Sequence, residues 1–436
     1  MLDDRLQTLL ASLWASRVQD NPAVEARARE LLLDTIGCAI AGAVEPDVIA
    51  LYAETSRADP GLIGFPAVSA KLTTVGFATC FAAAACWHEA CEGLAAAHGR
   101  PGLHAIAAAL GPALLRQEPL GALLDAIAAG YEVGGRLGMV LRIRPGMHVD
   151  GVWGSFAAVA AVCRLAKDSP AATLASLNHA ACHLPFSLYR PVALGSTARN
   201  AFAGHGAVHG AASAVASRAG LGGPPGSITE WARLALGLDP ANLTAFPGPD
   251  HCLLLDGYLK RYPAVRHVHY GAAAAEAWAR KAAPDTITAV TLRIYDEAMT
   301  YCGNRGPTTA IQAQFSLSYG VARCLVHGTL DPTAYSSTAL SDEQTRRVEA
   351  LIVLEADPVL TESGRRGCTL DVTAGGCTWQ HAISAVPGDP AMPMTRGAVT
   401  EKFMAYATPV IGVTHGASLA DRVLTGALNL PFSLAT

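Results

Sequence analysis

The side chains best suited to acid–base chemistry stand singly in this sequence, each among glycines or apolar residues. They are His88, His104, His148, Arg199, Lys260 and Tyr319. Histidine, lysine and tyrosine can move a proton, and a cation beside them can hold a carboxylate. This combination indicates chemistry in which a proton is removed next to a carboxylate group.

Motifs for several other chemistries do not occur in the sequence. It has no GxGxxG after a strand pattern, no P-loop, no GxSxG and no kinase signature, so nucleotide-driven reactions and the commonest serine hydrolases have no support. Two histidine pairs, His179/His183 and His205/His209, have the spacing of one helical turn. They lack both the HExxH glutamate and a third ligand cluster nearby, so we expect no bound metal and no cofactor.

The composition bears on the partners of the chain. It has 436 residues, with 32 Lys plus Arg, 36 Asp plus Glu and a formal net charge of −4. This balance argues against nucleic acid as a partner. Only 16% of the residues are charged, against about 25% in an ordinary globular protein. Because apolar surface of that extent is rarely left in water, we expect part of the surface to be buried in an oligomer.

Two uncharged stretches, 169–189 and 200–217, are about as long as a membrane helix. Both contain histidines, and the first contains Pro185, so the pattern favours buried helices over membrane spans. The N-terminal MLDDRLQTLL has acidic residues where a signal or transit peptide has basic ones. We therefore expect a cytoplasmic protein without membrane association.

The periodicity of apolar residues predicts a mainly α protein with a smaller α/β (α+β) domain. Asn21 and Pro22 begin a helix that continues to Gly42, and alanine-rich helices follow at 77–87, 103–116, 120–130, 153–166, 171–184 and 207–219. We place the large helical domain at 1–268 and the smaller one at 269–394. The helices of 395–436 are expected to complete the large domain.

Strand patterns begin after about Pro284. TITAVTLRIYDE and VEALIVLEAD are predicted strands, and CTLDVTAGGCTWQHAISAV is a predicted hairpin that turns at Gly375 and Gly376. One helix, from about Thr309 to His327, is expected between the first two strands.

Six segments, in this order, resemble the MmgE/PrpD family, which includes 2-methylcitrate dehydratase, cis-aconitate decarboxylase and iminodisuccinate epimerase. They are LLLDTIGCAIAGA, GMHVDGVWGSFAAVAAVCRLA, ARNAFAGHGAVHGAASAVASRAG, LKRYP, AQFSLSYGVARCLVHG and GDPAMPMTRGAVTEKF. Each is weak alone, but together they extend from about residue 25 to residue 405. The resemblance implies a two-domain architecture, with a large helical domain built from both chain ends, and usually a homodimer.

The resemblance also implies roles for single residues. His148 stands in the family's glycine-flanked histidine motif and is our first choice for a catalytic residue, because a neutral histidine can shuttle protons near pH 7. Lys260 in LKRYP and Tyr319 in FSLSY match residues of the family's substrate pocket. His104 aligns with a family histidine that precedes Pro-Gly.

The sequence departs from the family pattern at two places. In HEACEGLAAAHGRPGLHAIAAAL no aspartate occurs, and the family's acidic positions fall near Cys91 and Glu92. We expect Glu92 to replace the acid, with His88 and Cys91 contributing to substrate binding. Arg199 stands where many members have a pocket lysine, and arginine grips a carboxylate well but transfers protons poorly.

Three functions stay open at this point. The leading hypothesis is a cofactor-independent lyase, of the hydro-lyase or decarboxylase type, that removes a proton α to a carboxylate of a small di- or tricarboxylic acid. The second is an epimerase, racemase or isomerase that returns the proton to the other face. The third is a non-catalytic paralogue that binds a ligand.

Overall fold

Helices form most of this protein, whose computed structural model describes residues 2–279 and 281–435. The first part of the chain contains α1 Leu2–Ala15, α2 Pro22–Gly42, α3 Pro46–Ala58, α4 Thr74–Cys86, α5 Pro101–Arg116, α6 Leu120–Val140, α7 Gly154–Leu165, α8 Pro170–Cys182, α9 Arg190–Leu194, α10 Phe202–Arg218 and α11 Ser227–Trp231. Each predicted alanine-rich helix is present. The Asn21 side chain accepts hydrogen bonds from the N–H groups of Ala23 and Val24, so α2 begins at the predicted cap.

Glycine and alanine allow these helices to lie unusually close together. A Cβ atom placed on Gly134 of α6 would lie 2.4 Å from Cβ of Ala157 in α7. One placed on Gly210 of α10 would lie 2.3 Å from the Ser155 carbonyl oxygen. These positions therefore exclude any larger residue, and the small side chains fix the spacing of α6, α7 and α10.

Two small antiparallel ladders lie within this helical part, where the sequence pattern predicted helix alone. One joins β1 Pro60–Phe65 to β2 Val68–Leu72. The other joins β3 Met147–His148 to β4 Ser187–Leu188, with His148 opposite Ser187. The second ladder fixes the backbone of the histidine predicted to be catalytic.

The later part of the chain forms a four-stranded sheet with strand order β6-β5-β7-β8. The strands are β5 Ile287–Ile294, β6 Ile352–Ala356, β7 Cys368–Ala374 and β8 Cys377–Ile383. β5 runs parallel to β6 and antiparallel to β7, and β7 and β8 form the predicted hairpin. Gly375 and Gly376 have φ of +57° and +80°, which suits glycine at a tight turn.

The helices of this part are α12 Val268–Trp278, α13 Asp296–Cys302, α14 Ala310–Gln314, α15 Leu317–His327, α16 Ser337–Leu340, α17 Glu343–Leu351 and α18 Pro358–Ser363. Two sequence predictions need correction here. The single helix expected at 309–327 is two helices, because the Ser316 hydroxyl caps a new helix by accepting from the Tyr319 N–H. The VEAL segment is helical, because Asp342 caps α17 and Val348 is buried along it.

The C-terminal helices, α19 Arg396–Ile411 and α20 Val413–Thr425, pack on α2. Arg29 of α2 donates to the carbonyl oxygens of Val423 and Gly426 at 2.8 and 3.0 Å. One hydrophobic core therefore joins residues between 2 and 259 to residues between 399 and 434. A second core consists mainly of residues between 262 and 386. The prediction of a mainly α fold with a smaller α/β part is confirmed.

No single helix within 2–279 and 281–435 is both long enough and apolar enough to cross a membrane. The helices α2 and α3 pass that test only as a pair, with a bend of 94° between them.

Candidate active site

A cavity of about 340 Å³ lies where residues of the two cores meet. Its volume is in the range of small-molecule sites. Its charged and aromatic walls come mainly from the loop after α4, the chain between 142 and 153, the turn just before α10 and the chain between 258 and 301, with Phe315 and Arg366 added from later in the chain. Of the eight residues predicted for the site, the described cavity wall includes three, which are His148, Arg199 and Lys260.

Glu89 is the centre of the inner wall of the cavity, the part formed by Glu89, Arg100, Asp150, Arg199 and Lys260. Its carboxylate accepts from Arg199 Nη2 and from Lys260 Nζ, each at 2.5 Å, and from Arg100 Nη1 at 3.4 Å. Lys260 Nζ also donates to the Glu89 carbonyl oxygen at 2.9 Å. Burial alone would raise the pKa of Glu89, but these three cations hold it well below its usual range. Glu89 is therefore a fixed negative charge and a poor base.

Asp150 is the second fixed negative charge of this wall. The Arg100 guanidinium donates to both of its carboxylate oxygens. Burial acts to raise the pKa of Asp150, yet Arg100 and the nearby histidines lower it below its ordinary value. Arg100 thus links Asp150 to Glu89, and both carboxylates stay ionised at neutral pH.

Backbone strain is concentrated at the cavity. The described non-glycine residues with positive φ are Glu89, His98, Gln117 and Lys167. Gln117 and Lys167 directly follow helices, where left-handed residues are common. Glu89 and His98, with φ of +53° and +56°, line the cavity, and His98 also ends a helical turn, the 3₁₀ helix Ala95–Ala97. Strain of this kind persists where surrounding contacts hold a functional geometry.

His148 lies on β3 and faces the cavity with a defined tautomer. Its Nδ1 accepts from the Asp150 N–H at 3.1 Å, so in the neutral ring the proton is on Nε2. Burial lowers the pKa of His148 to about 4, which keeps the ring neutral at pH 7. Burial, rather than the nearby helix N-terminus, is the main cause of this shift. His148 therefore offers an N–H donor through Nε2.

His104 is one turn inside α5 and is not among the described residues of the cavity wall. Its Nδ1–H donates to the Arg100 carbonyl oxygen at 2.9 Å, and its Nε2 accepts from the Gly151 N–H at 3.2 Å. Both ring nitrogens are therefore occupied. His104 positions the backbone of Arg100 and Gly151, whose neighbours do face the cavity, and the expected direct catalytic role is not supported.

Glu92 and Cys91 also lie behind the described cavity wall. The Glu92 carboxylate accepts from the Leu103 N–H at 3.0 Å at the start of α5. Burial raises the pKa of Glu92 to about 8. The Cys91 thiol accepts from Arg100 Nη1 at 3.2 Å. The described cavity wall includes Glu89 and not Glu92, so the replacement of the family's acid by Glu92 stays a prediction.

His88 and Tyr319 are the other predicted residues outside the described wall. His88 Nε2 lies 3.5 Å from Glu45 Oε1, and its ring contacts Tyr406 edge-on. The Tyr319 hydroxyl donates to the Ala334 carbonyl oxygen within the second core. Neither side chain reaches the cavity, so the expected binding role of His88 and catalytic role of Tyr319 are not supported by the geometry.

The charges of the described wall do not balance. It includes six cationic and three acidic side chains, and Asp389, behind the wall, pairs with Arg266. Two positive charges remain in excess. One belongs to the inner group of Arg100, Arg199 and Lys260, which Glu89 and Asp150 compensate only in part. The other belongs to Arg142, which is exposed at the wall and forms no ion pair with any described residue.

Glu297 and Arg366 bring the second core into the wall. Arg366 Nη2 donates to Glu297 Oε2 at 3.0 Å, and His98 Nδ1 lies 3.4 Å from Glu297 Oε1. No pattern in the sequence indicates this contact, which joins residues 199 positions apart. Asp150 and Glu89 could have been found, because each lies within two residues of a histidine already singled out.

Within 2–279 and 281–435, no group of three or more His, Cys, Asp or Glu side chains is arranged to hold a metal ion. His179, His183 and His209 do meet at the surface, but their ring nitrogens contact one another. His183 Nδ1 lies 2.7 Å from His209 Nε2, and His183 Nε2 lies 3.3 Å from His179 Nε2.

The fold and the cavity define a class of two-part, mainly helical proteins with a cationic cavity at the junction. Residues 6–236 match the MmgE/PrpD N-terminal domain, and residues 262–425 match the MmgE/PrpD C-terminal domain. The chain therefore belongs to the MmgE/PrpD family, whose members are dehydratase-like enzymes of carboxylic acids. A search of curated proteins found no match.

Proposed function

We propose that this protein is a cofactor-independent lyase that removes a proton α to a carboxylate of a small di- or tricarboxylic acid and expels a β-hydroxyl as water. The observation that carries the proposal is the excess of two positive charges in a cavity of about 340 Å³. A substrate with at least two carboxylates neutralises both charges. One carboxylate binds at the inner wall and the other at Arg142.

The inner wall is also suited to the developing charge of the reaction. Proton removal places negative charge on the substrate carboxylate, and preformed donors stabilise it without reorganisation. The Lys260 ammonium group has three protons. It donates two of them to Glu89, one to the backbone carbonyl oxygen and one to the carboxylate. The remaining proton is available to the leaving hydroxyl. His148 adds a neutral N–H donor for a substrate oxygen.

Arg199 binds through charge in this mechanism and moves no proton. Its guanidinium is already held by Glu89, by Cys86 Sγ at 3.0 Å and by Asn200 Oδ1 at 3.0 Å. Arginine stays protonated throughout the accessible pH range. It therefore fixes the position of Glu89 and contributes to the positive potential of the inner wall.

The experiment incubates the purified protein in heavy water with a panel of hydroxy-, amino- and unsaturated di- and tricarboxylic acids. NMR follows deuterium incorporation at Cα, water loss and carbon dioxide release together. The proposal expects exchange coupled to water loss with at least one diacid. Lys260→Met should abolish the water loss, while Lys281→Met, at an exposed lysine, should leave it unchanged.

The other outcomes of the same experiment identify the alternatives. Release of carbon dioxide identifies a decarboxylase. Exchange with loss of optical activity and no elimination identifies an epimerase or racemase. Binding of a diacid without exchange at any Cα identifies a ligand-binding paralogue and contradicts the proposal.

A further inference from the structure

We propose that His98, positioned by Glu297 across the junction of the two cores, is the base that takes the α proton. The inference rests on the proposed function and assigns a catalytic residue that sequence motifs did not indicate. His98 lines the cavity, its backbone is left-handed with φ of +56°, and its side chain is 45% exposed. The left-handed residue that ends the 3₁₀ helix Ala95–Ala97 thus places a histidine at the site.

A base needs a free lone pair that faces the substrate. His98 Nδ1 lies 3.4 Å from Glu297 Oε1, and a carboxylate at that position favours the tautomer with the proton on Nδ1. The lone pair of Nε2 is then free. Hydrogen bonds of this kind are often long in the unliganded state and shorten when the substrate binds.

The other two histidines of the described wall, His148 and His267, have the opposite tautomer. His148 Nδ1 accepts from the Asp150 N–H. His267 Nδ1 faces Arg366 Nη1 at 3.1 Å, and because a guanidinium can only donate, this nitrogen is the acceptor. Both rings therefore have their proton on Nε2. His98 and His148 supply complementary groups, an acceptor and a donor.

Burial and the neighbouring charges keep His98 neutral and ready to accept a proton. Burial, Arg142 and Arg366 lower the pKa of His98, while Glu297 raises it. His267, which is neutral because burial lowers its pKa, also faces His98. When a substrate carboxylate neutralises Arg142, one of the charges that oppose protonation of His98 is cancelled. Substrate binding therefore strengthens the base.

The proton and the electrons balance as follows. The Nε2 lone pair of His98 takes the α proton, and the electron pair of the C–H bond forms the C=C bond. The C–O bond to the β-hydroxyl breaks, and the departing oxygen receives a proton from Lys260 and leaves as water. The His98 imidazolium is paired with Glu297. Because His98 is partly exposed, it can return its proton to Lys260 through solvent.

The test compares His98→Asn with the wild type in the heavy-water assay, using whichever diacid exchanges. Asparagine tolerates a left-handed backbone, so the variant should fold. We expect kcat for exchange to fall by about 10²–10⁴-fold, with KM changed less than threefold. The matched control is His251→Asn, because His251 also pairs with a carboxylate, Asp256 at 2.6 Å, but is not a described residue of the cavity wall.

Two further measurements separate a catalytic role from a structural one. His98→Gly should regain exchange when imidazole is added, because glycine adopts this backbone without strain and leaves space for the ring. Glu297→Gln should move the acidic limb of the kcat/KM profile to lower pH, since Glu297 raises the pKa of His98.

The outcomes distinguish this inference from the proposed function. If the wild type exchanges and His98→Asn keeps more than one tenth of its kcat for exchange, the role of His98 is overturned and the proposed function is left intact. The role of His98 is also overturned if the wild type exchanges but imidazole does not rescue His98→Gly and the pH profile of kcat/KM is unshifted in Glu297→Gln. Absence of exchange in the wild type with every diacid overturns both.

Discussion

Replacement of Glu89 by glutamine should separate the electrostatic role of this residue from its shape. Glu89 is buried and receives hydrogen bonds from Arg100, Arg199 and Lys260. Glu89→Gln keeps the size of the side chain and an acceptor oxygen but removes the charge. Three buried cations then face Asp150 alone. Removing one partner of a buried ion pair costs about 3–5 kcal/mol, so we expect a loss of stability of that size.

The expected shift in melting temperature follows from the length of the chain. An unfolding entropy of about 2.1 cal/mol/K per residue over 436 residues amounts to about 0.9 kcal/mol/K. Glu89→Gln should therefore melt about 3–5 °C below the wild type in calorimetry. The pKa of Glu89 is well below its usual value. The stabilisation by ionised Glu89 is thus present above the unfolded pKa of about 4.3. The difference in melting temperature between the variant and the wild type should therefore be constant between about pH 6 and 8.

Succinate provides the second part of this test. Because the variant cavity has one more uncompensated positive charge, added succinate should raise the melting temperature of Glu89→Gln more than that of the wild type. Glu230→Gln is the matched control, since Glu230 pairs with Arg233 at an exposed site and should cost less than about 1 kcal/mol. A Glu89→Gln variant as stable as the wild type, with an unchanged response to succinate, would refute the reasoning.

Three other predictions test different parts of the molecule. Arg199→Lys should retain turnover, because it keeps the positive charge, and raise KM by up to about 10- to 150-fold, because it loses a charge-assisted hydrogen bond that fixes Glu89 in the inner wall; new elimination from 2-methylcitrate by this variant would contradict it. Burial raises the pKa of Glu92 to about 8. The stabilisation of the fold by protonated Glu92 is therefore complete below about pH 4.3 and is lost as the pH rises through about 8. Urea unfolding should therefore show the wild type losing stability relative to Glu92→Gln over that interval, whereas parallel profiles would count against it. Sedimentation at micromolar concentration should give a dimer of about twice the 45.1 kDa chain mass, and a monomer mass would contradict the homodimer.

Much of the fold could be predicted because its signals are local. Asn21 and Pro22 begin α2 through contacts within three residues, and Gly375 and Gly376 turn a hairpin whose strands are adjacent in sequence. The short β3–β4 ladder could not be predicted, because it joins residues some 40 positions apart by only two residue pairs. Its pairing depends on tertiary packing rather than on local preference.

Cavity residues were predicted from the sequence only where they belong to a family motif. His148, Arg199 and Lys260 belong to quoted motifs and line the cavity. His104 also aligns with a family histidine, but its position one turn inside α5 directs the ring to backbone groups. Register along a helix decides which of two neighbouring residues faces a cavity, and sequence order alone does not show it.

The two places where the sequence departs from the family resemblance are in contact in the structure. The sequence has no aspartate between His88 and His104, and it has arginine at position 199. In the structure Arg199 Nη2 donates to Glu89 Oε2 at 2.5 Å, so the altered loop and the altered cation meet directly. An arginine buried at this depth needs a carboxylate partner, and a glutamate with left-handed backbone needs contacts that hold it. Each residue therefore supplies what the other requires. Neither departure, considered alone, is therefore a sign that function has been lost.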